Sequence, residues 1–164
     1  PSIEVCIDLH RDGVPEGTRR VTEIDGKQTA QVMFFNGLCR LNKNGTPQAI
    51  SGLENPYIRE NLAFSLQMKT AADSLFPDFA RKIYLNAYRF SLHFMPRSTL
   101  IEVGAQTNTK AEAKNAISKL GLKLEEVREF PVDGTAHTVI VLKKVAPTPA
   151  KYPRRFAKIK QAPL

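Results

Sequence analysis

Residues 96–109 read Pro-Arg-Ser-Thr-Leu-Ile-Glu-Val-Gly-Ala-Gln-Thr-Asn-Thr. Within them Thr99–Val103 is a run enriched in β-branched residues, which predicts a strand, and Gly104 closes it with a turn. Thr109-Lys110-Ala111-Glu112 then follows the capping-box pattern, so a helix should start there and run through Ile117 and Leu120 to Gly121. A strand, a glycine turn and a capped helix make a unit of an α/β fold. Glu102 breaks the apolar run one residue short of the glycine.

The flanking sequence repeats the alternation. Ile3–Leu9 is a short apolar run that predicts a buried strand ending at His10-Arg11-Asp12-Gly13. Arg11–Gln28 reads as a loop with a turn at Asp25-Gly26, and Thr29–Phe35 as a second strand. Asn36–Pro56 is a long polar connection around Asn44-Gly45, a length that goes with function or mobility. Ile58–Phe76 has helical spacing, with Phe64, Met68, Ala71 and Leu75 on one stripe expected to face the core and Leu62 and Leu66 beside it. Lys82–Leu85 is a short strand candidate. Val139–Val145 is the last one, after a turn at Asp133-Gly134. The expected architecture is α/β, with a mostly parallel sheet, flanking helices, a short terminal strand and an extended basic tail.

The 164 residues suffice for one domain with a tail. A hydrophobic share of 42% against 24% charged residues permits a packed core and argues against wholesale disorder. No apolar run is long enough to span a bilayer, and residues 1–20 lack a signal-type apolar core, so neither a membrane segment nor a signal peptide is expected. Cys6 and Cys39 show no zinc-ribbon or redox spacing and leave the compartment open. The net charge of +8 is concentrated at one end: residues 143–164 hold seven basic residues and no acid, while the first 142 are nearly balanced. Prolines make Ala146–Pro153 extended. A basic, extended tail dotted with Tyr152 and Phe156 suits a polyanion such as RNA and equally suits a solvated arm.

His10 and Glu102 are the polar residues that stand against apolar strand signals. If both strands lie in one parallel sheet, both residues fall near the carboxyl ends, where open α/β sheets bind ligands. An imidazole can ligate a metal, and a carboxyl beside metal-bound water can take and give protons. A hydrogen-bonded structural histidine and a Glu–Arg pair are the plainer alternatives. Cys6, Asp8 and His10 share one strand face, with Cys6 expected in the core. Arg11 and Asp12 are candidates to orient His10, although a surface ion pair fits them equally. Gln106 and Asn108 are open to substrate contact or to shaping the turn. His93 and His137 have no partner at ligand spacing. His10-Arg11-Asp12 is not a kinase catalytic loop, since Gly17 stands where that loop needs Asn. There is no GxGxxG, P-loop or GxSxG motif.

Ile7-Asp8-Leu9-His10-Arg11-Asp12-Gly13-Val14, Ile24-Asp25-Gly26-Lys27, Ala30-Gln31-Val32-Met33-Phe34, Asn61-Leu62-Ala63-Phe64, Ala87–His93 and above all Pro96–Thr109 with Glu112-Ala113 resemble the C-terminal hydrolase domain of the stage II sporulation protein P family. The resemblance runs over about residues 1–117. It implies the C-terminal part of a domain related to the zinc N-acetylmuramoyl-L-alanine amidases. It further implies cleavage of peptidoglycan, as amidase and endopeptidase, during forespore engulfment. The place implied is extracytoplasmic, at the sporulation septum, beside other engulfment proteins such as stage II sporulation proteins D and M (SpoIID and SpoIIM). By the same resemblance His10 is a zinc ligand and Glu102 the catalytic carboxylate, with a further His and Glu ligand upstream of residue 1. Residues 118–164 resemble a different C-terminus, that of the S-adenosylmethionine-dependent small-subunit rRNA methyltransferases of the glucose-inhibited division protein B kind. That implies a cytoplasmic alternative in which Lys151, Tyr152, Arg154, Arg155, Lys158 and Lys160 bind RNA. The two resemblances meet near Ala111–Ile117. A chimeric frame without independent function is the third reading.

Overall fold

In the computed structural model, which describes residues 3–132 and 134–145, the strand expected at Thr99–Val103 extends over Ser98–Ala105 and is buried along its whole length. The strands are β1 (Cys6–Asp12), β2 (Val21–Ile24), β3 (Lys27–Ala30), β4 (Val32–Gly37), β5 (Arg40–Lys43), β6 (Thr46–Ala49), β7 (Tyr84–Asn86), β8 (Ser98–Ala105), β9 (Leu122–Val132) and β10 (Thr135–Lys144). The helices are α1 (Ile58–Leu75) and α2 (Lys110–Lys119). The chain divides into two compact units, Pro1–Ala116 and Ile117–Leu164.

The first unit is built on a four-stranded sheet in the order β1-β8-β4-β7. The pairs β1/β8 and β4/β7 are parallel, while β4/β8 is antiparallel. The α/β class is as expected, but the sheet is mixed. β8 and β4, buried throughout, form its centre. β1 is an edge strand, so the run expected to be buried is half-exposed and Cys6, expected in the core, is exposed. Two expected loops contain hairpins. Asp25-Gly26 joins β2 to β3 and Asn44-Gly45 joins β5 to β6, each with positive φ at both residues, as a type I′ turn requires.

α1 packs on β4 and β8 through Asn61, Ser65 and Ala72, not through the apolar stripe. Leu66 is 58% exposed and Leu75 67%. The reason lies in the sheet, which turns Asn36 and Thr99 toward the helix. Ser65 Oγ donates to Asn36 Oδ1 at 3.1 Å and shares a 2.9 Å hydrogen bond with Thr99 Oγ1. Asn61 Oδ1 accepts from the Ser98 amide at 3.0 Å, and Asn61 Nδ2 donates to the Leu92 carbonyl at 2.6 Å. Most buried polar groups are paired, and here the pairing of Asn61, Ser65 and Thr99 sets which helix face goes inward, with Asn36 Nδ2 left without a partner.

The capping box of α2 forms as the sequence requires. The Glu112 amide donates to Thr109 Oγ1 at 3.2 Å, and the Thr109 amide donates to Glu112 Oε2 at 3.1 Å. In the second unit β9 and β10 form one antiparallel hairpin. β10 covers most of the expected strand Val139–Val145, whereas β9 lies where no strand was expected.

Candidate functional site

β1 and β8 run in parallel, with His10 opposite Glu102 at their carboxyl ends. Residues opposite one another in adjacent strands project to the same face, so the imidazole and the carboxyl are neighbours. Thr99 faces α1, and alternation sends Leu100 and Glu102 to the other face. Met33 and Phe35 of β4 join them there, opposite Glu102 and Leu100.

Glu102 is only 9% exposed, and its Oε2 is buried without a hydrogen-bond partner. Burial pushes its carboxyl above the ordinary carboxylate range; the charge of His10 pulls it back, Asp12 and Asp8 push it further up, and Arg81 opposes them. An ionisable group that is buried, unpaired and surrounded by charges of both signs at a strand end marks a candidate active site.

The neighbours are placed by local geometry. His10 Nε2 lies 3.0 Å from Asp8 Oδ1, two residues back on the same strand face. A bulge between His10 and Asp12 shifts the register. Asp12 Oδ2 lies 2.7 Å from Arg81 Nη2. Arg81 is fixed from below, its amide donating to the Val32 carbonyl at 2.8 Å at the start of β4. Its Nε is buried and unpartnered, as is Glu102 Oε2.

Arg11 works elsewhere: Nε and Nη2 donate to the Ala105 carbonyl at 3.1 and 2.6 Å, and Nη2 also donates to the Asn108 carbonyl. The contact on His10 therefore comes from Asp8, while Arg11 ties β1 to the turn after β8 and Asp12 holds Arg81. Gln106 and Asn108 shape that turn. Gln106 Oε1 accepts from the Val14 amide at 2.9 Å, and Asn108 Oδ1 accepts from the Ala105 amide at 2.8 Å. Gly104 carries φ 68°, and a Cβ there would lie 2.6 Å from Asn108 Oδ1. His93 rests against Phe94 with ring centroids 4.2 Å apart. The His137 side chain and the tail residues Lys151, Tyr152, Arg154, Arg155, Lys158 and Lys160 lie outside the described residues.

The donor set meets the chemistry of a zinc site in part. Asp8 occupies one imidazole nitrogen of His10 and leaves the other for a ligand bond, the way carboxylates orient metal-binding histidines. Among the described residues, however, no group of three His, Cys, Asp or Glu side chains is placed to hold a metal ion. The sequence singled out His10 and Glu102 as candidates and placed Asp8 on the strand face of His10. It did not mark Arg81, which carries no motif and reaches the site only through the topology.

The family model described as "Stage II sporulation protein P (SpoIIP)" matches residues 1–121. The chain belongs to the stage II sporulation protein P family. This ties it to sporulation. A second likeness covers a smaller share. The chain is 38% identical over 53 residues to the ribosomal RNA small subunit methyltransferase G of Fervidobacterium nodosum, 32% of this chain and 25% of that protein. It is 43% identical over 54 residues to its counterpart from Clostridium novyi, covering 32% and 22%. With the Deinococcus radiodurans protein the identity is 52% over 44 residues, covering 26% and 17%. The chain thus spans about a quarter or less of the length of these curated relatives. No solved structure matches it. No helix among the described residues is long and apolar enough to cross a membrane.

Proposed function

We propose that this sporulation protein P family member acts on peptidoglycan as an amidase or endopeptidase in forespore engulfment, outside the cytoplasm at the septum. The observation that carries this reading is the register pair His10–Glu102 at the carboxyl ends of β1 and β8, with a buried, unpartnered carboxylate oxygen. In this reading His10 is one ligand of a zinc ion, held in orientation by Asp8. Bound zinc supplies a Lewis acid for an amide carbonyl and acidifies water.

Glu102 is the proton carrier. Its raised proton affinity suits it to take a proton from a nucleophilic water and to pass it to the departing amine. Arg81, fixed by Asp12, holds positive charge beside that carboxyl. Catalytic zinc sites use about three protein ligands, and His10 alone is one. The chain by itself should therefore cut poorly. The test is release of soluble muropeptides from purified sacculi, with and without zinc, comparing the chain with a version extended upstream to carry a His and a Glu ligand. The expected outcome is cleavage by the extended form, abolished in Glu102→Gln. Undiminished cleavage in that variant would sink the reading.

The methyltransferase G likeness supports a second reading, a basic RNA-binding arm. Its binding should weaken steeply with salt as phosphate counterions are released. Filter binding that stays flat between low and high salt would exclude it.

A further inference from the structure

The sheet face that carries Glu102 continues across the molecule as an aromatic step. Phe35 of β4 stands opposite Leu100 on one side and Tyr84 of β7 on the other, so all three side chains share the face of Glu102. The Phe35 and Tyr84 rings stack with centroids 5.1 Å apart and planes inclined by 30°. Phe90 meets Phe35 edge-on at 4.6 Å. Tyr84 nonetheless remains 48% exposed while its ring stacks on Phe35.

The backbone is strained to build this step. Phe90 and Ser91 are consecutive non-glycine residues in the left-handed region, at φ 49° and 57°. Such conformations are disfavoured for L residues and persist where the surrounding structure enforces them, often at functional sites. Here they bring Phe90 onto Phe35, which in turn backs Tyr84. The strand that bears Tyr84 has three residues, too short an edge for productive pairing with a strand from another chain. What it offers is a flat ring with a hydroxyl at its rim. From strand spacing and rise, the Cα atoms of Tyr84 and Glu102 are about 12 Å apart on this face.

We propose that Tyr84, backed by Phe35 and Phe90, is a stacking subsite for an N-acetylhexosamine ring of the glycan strand, seated on the same sheet face as Glu102. This rests on the peptidoglycan reading and adds the sugar-binding part of that site. The apolar face of a pyranose lies on the exposed part of the Tyr84 ring, and the phenol hydroxyl meets the sugar hydroxyls.

The test is titration of the chain with N-acetylglucosamine tetramer, followed by isothermal titration calorimetry, which reads every variant by the same signal. Saturable binding is expected. Tyr84→Ala should weaken it by about three- to tenfold, the scale of one aromatic contact. Tyr84→Trp should restore it, and Tyr88→Ala, at another exposed tyrosine, should leave it unchanged. Tyr84→Leu keeps an apolar contact with Phe35 but no ring, so it should fold and still bind weakly. Absence of binding by the unmutated chain, binding by Tyr84→Ala within twofold of it, or equal loss in Tyr88→Ala overturns the proposal. The enzymatic reading stands or falls separately: it depends on cleavage in the Glu102→Gln comparison, and the subsite on tetramer affinity.

Discussion

Replacing Glu102 by Gln should raise stability near neutral pH while removing the proton carrier. The wild-type carboxylate is 9% exposed, with one oxygen buried and unpartnered. Leaving a buried polar group unsatisfied costs about 1–3 kcal/mol, more when it is charged. A neutral amide of the same shape removes the charge, so a gain of about 1–2 kcal/mol at pH 7 is expected, or roughly 3–6 °C in melting temperature. The pH dependence has a fixed sign. Burial raises the folded-state proton affinity above the ordinary value of 4.5, so with rising pH the unfolded chain loses this proton first. Wild-type stability from this group is therefore highest below that value and falls as pH rises through the folded-state titration. The glutamine variant lacks this decline, and its advantage should grow from near zero at acid pH to its full size at neutral pH. Urea unfolding of both proteins at several pH values measures it. A variant less stable than wild type at pH 7, or an advantage independent of pH, would refute the reasoning.

Gly104→Ala should destabilise the first unit by about 2–4 kcal/mol in urea unfolding, combining left-handed strain with displacement of Asn108 from the Ala105 amide. Arg81→Met leaves Asp12 without its cation, and a double-mutant cycle with Asp12→Asn should give a coupling of about 1 kcal/mol; additivity would contradict the pairing. A thiol reagent should modify exposed Cys6 at once in the native protein. Cys39, 3% exposed and with its thiol pushed up by burial, should react only after denaturant is added.

The strand at Ser98–Ala105 and the capped helix after it were legible because both rest on local chemistry: an unbroken apolar run, a glycine, and a Thr–Glu box that closes on itself. The hairpins β2/β3 and β5/β6 escaped for the opposite reason. β5 and β6 are exposed at every position, so no alternation betrays them, and only the Asp25-Gly26 and Asn44-Gly45 dipeptides announced their turns. The period of α1 was readable but its inward face was not, because that face was chosen by Asn36 and Thr99, residues on other elements.

The same division separates the two halves of the site. His10 and Glu102 could be paired from sequence because His10 ends one apolar run and Glu102 interrupts another near its end, and parallel neighbours bring their carboxyl ends to one edge of the sheet. Arg81 could not, because its position depends on β4 running antiparallel to β8 within a sheet expected to be mostly parallel. β4 runs against β8, so Val32 and Met33, at its start, lie beside Val103 and Glu102 at the end of β8. The segment after α1 returns to that start, where Ala80 bridges Val32 and Arg81 bonds its carbonyl. A parallel β4 would have carried its start, and Arg81 with it, to the opposite pole of the sheet, leaving Glu102 among Asp8, Asp12 and His10 with no guanidinium beside it. The reversal of a single strand therefore sets the charge balance around the carboxyl on which the proposed chemistry depends.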